Sequence, residues 1–292
     1  MAAELDLSDL REALAWWSGK RLFFVGGQGK SGTTWVEQAL DAHPDISCRG
    51  EGHLFDGLAM RMDQAVSSYR KELDQNNKLF RELPGYPLPE PEDGVRTMRG
   101  LLLDTMRSAA DGNARCIGER TPANIAHLDL LVRLFPDAAF VHVIRDVRDV
   151  AVSLWHHMRR VQPSYDRPLE VLAVELAANW SKSMSSVRRF GREQLGDAYL
   201  EVRYEDLFTD TATALAPVVR ALGADDDAVI MARIAEASSF RTLSGREPGE
   251  VDPASHFRAG VAGGWREVLD EETAAEVWEL AGGTLKRLGY ER

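Results

Sequence analysis

The chain is short of several things, and each shortage removes a class of explanation. Its 292 residues hold only two cysteines, Cys48 and Cys116, far apart and outside any CxxC or Cys/His spacing. A disulfide framework and a cysteine-based metal site are therefore both disfavoured, and buried free thiols in a reducing cytoplasm are the expectation. No apolar run approaches the length needed to cross a bilayer. Residues 1–10 are acidic and lack the basic and apolar regions of a secretory leader, so a cytoplasmic protein is expected. Net positive charge is missing too: the formal balance is −11. Broad binding to nucleic acid or anionic membrane needs a basic field that this chain does not have. Internal repeats and low-complexity tracts are absent.

What is present reads as one α/β domain over 1–292. Residues 21–26 (RLFFVG) and 138–144 (AAFVHVI) are short apolar runs of strand length, and further strands are expected at 46–48, 115–118 and 198–202. Helical patterns fill 33–43, 56–81, 95–110, 125–135, 147–160 and 169–190. A proline-rich loop is expected at 84–94 and an irregular stretch at 238–264. Buried strands alternating with helices imply a doubly wound parallel sheet flanked by helices, with ligands at the carboxyl ends of the strands.

The first strand runs into Gly26-Gly27-Gln28-Gly29-Lys30-Ser31-Gly32-Thr33-Thr34-Trp35 and then a helix. Glycines let the backbone wrap an anion, the helix N-terminus presents unpaired N–H groups, and Lys30 adds a full charge. Ser31, Thr33 and Thr34 add hydroxyls. The pattern is P-loop-like but departs from G-x-x-x-x-G-K-S/T, because Phe24 stands where the first glycine belongs. The strand at 138–144 also ends in Arg145 rather than in a carboxylate suited to Mg²⁺. By themselves Arg145 and Ser153 read better as parts of an ordinary capped helix with a solvated face.

The turn KSGTTW (30–35), the run IRDVRDVAVSLWHH (144–157) and the segment FRAGVAGGWRE (257–267) resemble, in order, the three signature segments of PAPS-dependent sulfotransferases. PAPS is 3′-phosphoadenosine 5′-phosphosulfate. The resemblance implies a P-loop-like nucleotide-binding core and transfer of a sulfuryl group to a hydroxyl or amine, without metal. It implies that Lys30, Ser31, Gly32, Thr33 and Thr34 hold the 5′-phosphosulfate. Arg145, Ser153, Arg258, Ala259 and Gly260 would form the 3′-phosphate site, and Trp35, Tyr204 and Phe240 the adenine platform. Ala259 stands where the family usually has lysine, and Gly264 where it usually has aspartate.

Transfer also needs a base for the acceptor proton. The family's small-molecule branch uses a histidine in K-T-H-x-P, which the corresponding segment 117–122 (IGERTP) lacks. Segment 50–56 (GEGHLFD) resembles instead the glycan-modifying and bacterial branch, which implies Glu51 as base. His53 is an orienting partner or an alternative base, and His157 a weaker candidate. The expected acceptor is a small-molecule or carrier-bound hydroxyl compound, held by segments 54–94 and 158–168. A P-loop kinase or NTPase, and a non-catalytic nucleotide-binding protein, remain as alternatives.

Overall fold

The computed structural model describes residues 12, 15–252, 255, 257 and 260–292. Five parallel strands form one sheet: β1 Arg21–Gly27, β2 Ile46–Gly50, β3 Cys116–Arg120, β4 Ala139–Ile144 and β5 Tyr199–Arg203, in the order β2-β3-β1-β4-β5. Every residue of β3 and β4 is buried, and β1 is buried from Phe23 onward, as strands covered on both faces must be. From β1 the chain winds toward one edge, and from β4 it winds toward the other. The reversal opens a crevice at the carboxyl ends of β1 and β4, the place where such sheets take ligands.

Three apolar clusters fix the layers. Helix α1 (Thr33–Asp41) packs one face of the sheet through Val36, Ala39 and Leu40. The opposite face is covered through Met98, Leu102 and Met106, and Phe24 meets Phe55 edge-on at 5.0 Å. A third cluster joins Ile144 and Trp180 to Trp265 and Trp278 near the C-terminus. Both cysteines are free and buried.

Several boundaries differ from the sequence expectation, each for a local reason. The helix over 33–43 stops at Asp41, because the His43 ring takes up the next turn: Nδ1 accepts from the Asp45 N–H. The helix over 56–81 is a wide turn at Leu54–Ala59 followed by α2, Met60–Leu79. Pro91 opens α3 (Pro91–Ala109) rather than belonging to a loop, since proline suits the first helical position and Glu90 and Asp93 form a capping box. The irregular stretch at 238–264 contains a short helix, Phe240–Ser244, capped by Ser239.

Candidate active site

The crevice between β1 and β4 holds a cavity of about 350 Å³. Its lining includes Lys30, Gly32, Thr33, Thr34, Trp35, Arg145, Ser153, Tyr204, Phe240 and Gly260. Residues drawn from four distant parts of the sequence therefore meet in one place. Ser31 lies fully buried at the turn itself. Arg258 and Ala259 lie outside the described residues.

The turn is held by close fits. Gly32 has φ +100°, and a Cβ there would sit 2.6 Å from the Tyr204 ring. Only glycine meets both conditions. Arg145 fastens the turn from the other side of the crevice. Its Nη1 donates to the Lys30 carbonyl at 3.2 Å and its Nη2 to the Val261 carbonyl at 2.9 Å. Its guanidinium also lies over the Tyr204 ring, which in turn meets Trp35 edge-on at 5.4 Å. Tyr204 thus braces the turn in addition to lining the cavity.

The run after β4 is no solvated helix face. Asp146 caps the helix Val147–Val161 and ion-pairs with Arg148, which is buried against Trp265. Buried Asp149 accepts from the N–H groups of Gly263 and Trp265 at 2.7 and 2.9 Å. Gly264 brings no side chain to this loop; Asp149 anchors it from below.

Three polar atoms at the crevice are buried without a protein partner: Ser31 Oγ, Trp35 Nε1 and Arg145 Nε. Leaving such groups unpaired costs about 1–3 kcal/mol each. Their common position suits a polar, anionic ligand. Lys30 adds a charge there; burial pushes its pKa down, with Arg160 adding to the effect and Glu51 opposing it. Among the described residues no group of His, Cys, Asp and Glu side chains is arranged to hold a metal ion.

Glu51 follows β2 on a loop fastened to the end of β3. Glu119 Oε1 accepts from the Gly52 N–H at 2.8 Å, and Thr121 Oγ1 accepts from the His53 N–H at 3.2 Å. Glu119 is buried, and burial raises its pKa. The Glu51 carboxylate pairs with Arg120 and lies 3.7 Å from His53 Nε2. His53 Nδ1 meets Asp56 at 2.9 Å, and this hydrogen bond raises the histidine pKa.

Ser153, His157 and Arg160 share one face of their helix at i, i+4 and i+7. Ser153 lines the cavity, while His157 feels Lys30, Arg160 and Glu51 electrostatically. Burial lowers its pKa first, and the two cations lower it further. In the sequence reading His157 is the weaker candidate, and its spacing of four from Ser153 is the signal that puts it on the same helix face. Asp149 and Glu37 carry no role in the sequence reading, which includes Arg120 only within segment 117–122.

The Sulfotransferase family profile matches residues 23–228, which cover β1 through the start of the helix at Ala228–Ala237. The chain belongs to the sulfotransferase family. Mouse protein-tyrosine sulfotransferase 1 is 32% identical over 129 residues, 44% of this chain and 32% of that protein. This sulfotransferase-family chain therefore spans about a third of the length of that relative. The crystal structure of a mouse sulfotransferase, SULT7A1, complexed with PAP superposes with a TM-score of 0.58 at 17% identity, covering 94% of this chain and 89% of that one. The sulfotransferase domain of the Synechococcus olefin synthase gives 0.55 at 20%, covering 94% and 95%. These two likenesses establish the shared fold.

Proposed function

We propose that the protein transfers a sulfuryl group from PAPS to a hydroxyl or amine of a small-molecule or carrier-bound acceptor. The observation that carries this is the set of buried, unpartnered donors at Ser31, Trp35 and Arg145 beside Lys30, in a cavity sized for a nucleotide. Family membership supports the reaction class, and the likeness to a mouse protein-tyrosine sulfotransferase supports a hydroxyl acceptor.

The turn at Lys30–Thr34 holds the 5′-phosphosulfate, and Ser153 with the Gly260 backbone holds the 3′-phosphate. Trp35 and Phe240 border the adenine. The acceptor oxygen attacks sulfur as the bond from sulfur to the 5′-phosphate oxygen breaks. That oxygen keeps the electron pair, and Lys30 stabilises its developing charge. The acceptor proton passes to the Glu51 carboxylate. A sulfuryl group carries less charge than a phosphoryl group, so lysine and N–H donors suffice without Mg²⁺.

Thermal unfolding with adenosine 3′,5′-bisphosphate (PAP) in EDTA tests the cofactor reading. Marked stabilisation is expected, since a ligand of the native state raises its stability by mass action. Stabilisation by ATP–Mg²⁺ and not by PAP would indicate a kinase or NTPase instead.

A further inference from the structure

Behind Glu51 lies a charge arrangement that the reaction as described does not use. Arg120, the last residue of β3, has a side chain only 7% exposed, and it reaches two carboxylates at once. Its Nε donates to Glu37 Oε2 at 2.7 Å, and its Nη2 donates to the same oxygen. Its Nη1 donates to Glu51 Oε1. The two acids differ sharply in setting. The Glu37 side chain is 9% exposed, whereas that of Glu51 is 44% exposed. Glu37 sits on α1, the helix that begins at the phosphate-binding turn, so one helix carries the turn at its start and the clamp on Arg120 one turn later.

We propose that Glu37 is a positioning residue for Glu51, acting through Arg120. The inference rests on Glu51 being the base. One guanidinium charge serves two carboxylates. Glu37 takes Nε and Nη2, so the edge of the fork that meets Glu51 is Nη1 alone. The base is thereby fixed through one oxygen and keeps Oε2 for the acceptor proton. Without the Glu37 charge, the whole of Arg120 turns to Glu51. A fork-like pair on both oxygens would tie up the base and weaken its hold on a proton. Burial raises the Glu37 pKa, and the charge and hydrogen bond of Arg120 oppose that rise. Glu51 also interacts electrostatically with His53, on its own loop, with Lys30 and with His157.

The test is a double-mutant cycle on kcat with PAPS and an accepted hydroxyl compound. Glu37→Gln is expected to lower kcat roughly tenfold in the wild-type background, a size common for coupled charged neighbours, with KM for PAPS little changed. In the Glu51→Gln background the same change is expected to cost nothing further. Equal losses in both backgrounds, or no loss in either, overturn the proposal while the role of Glu51 stands. Wild-type turnover by Glu51→Gln alone would overturn the base assignment itself, a separate result. Should Glu37→Gln fold poorly, Glu37→Asp decides. It keeps the charge and loses one methylene, so a smaller loss of kcat than Gln supports the proposal. A larger loss would mean that shape, not charge, matters at this position.

Discussion

Arg145 and Tyr204 face each other across the nucleotide crevice, with the guanidinium carbon 3.9 Å from the centre of the ring. The same guanidinium holds the carbonyls of Lys30 and Val261, so Arg145 joins the phosphate turn, the C-terminal loop and the ring in one unit.

Arg145 and Ser153 should therefore behave differently, although both lie in the segment proposed to meet the 3′-phosphate. Ser153→Ala is expected to weaken PAP binding and leave AMP, which lacks the 3′-phosphate, nearly unaffected. Arg145→Ala is expected to weaken both ligands, because it also loosens the Lys30 turn. Loss of a charge-assisted contact sets the scale for PAP at about 1.5–3 kcal/mol. Calorimetric titration of both variants with both nucleotides checks the contrast. Equal losses for AMP and PAP in Ser153→Ala would remove that serine from the 3′-phosphate site.

Gly32 supplies a second contrast. At φ +100° and with the Tyr204 ring 2.6 Å from where a Cβ would stand, Gly32→Ala must distort the turn. Strain of about 1–3 kcal/mol corresponds to a roughly 5- to 150-fold loss of PAP affinity. Gly100, on the helix Pro91–Ala109, has open space around its own Cβ position. Gly100→Ala is expected to raise stability by about 0.5–1 kcal/mol without altering PAP binding, by restricting the unfolded chain. Denaturant titration together with PAP titration reads both effects.

His142 is fully buried in the middle of β4, and burial lowers its pKa from 6.5 to about 4. The folded protein then binds fewer protons than the unfolded chain between those two values. Its contribution is fully present above about pH 6.5 and is lost as the pH falls toward 4, by up to on the order of 3 kcal/mol. Buried carboxylates titrate in the same range, so the informative quantity is a difference. Urea unfolding of wild type and His142→Gln at pH 7.5 and 5 should show a steeper acid loss for wild type. Parallel pH dependences would contradict the assignment.

Much of this site was legible in the sequence because it depends on local chemistry. Gly32 and Lys30 announce a turn that wraps an anion, and the apolar run at β4 places Arg145 at a strand end. The charge network beneath the site was less visible, since it is built by tertiary contacts. Glu37 falls on the buried stripe of its helix with Thr33, Val36 and Leu40, at the spacing of a core position. An acid there signals a buried partner, but nothing local names Arg120, 83 positions away. Asp149 is similar: its two N–H partners lie more than a hundred residues further on. The segments expected to contact the acceptor were the least legible. Helix α2 buries none of its residues, and Tyr69, Phe80 and Tyr86 near it are exposed, so packing imposes no pattern there that could have been read in advance.

The central claim is that Glu51 takes the acceptor proton beside a PAPS site assembled around Lys30. The direct measurement is single-turnover transfer from PAPS by Glu51→Gln, with PAP affinity determined on the same preparation. The substitution keeps the shape and removes the basicity. Transfer is predicted to fall roughly 10²–10⁴-fold, as for loss of a general base, while PAP binds as it does to wild type. Transfer at the wild-type rate by a variant that binds PAP normally would contradict the account.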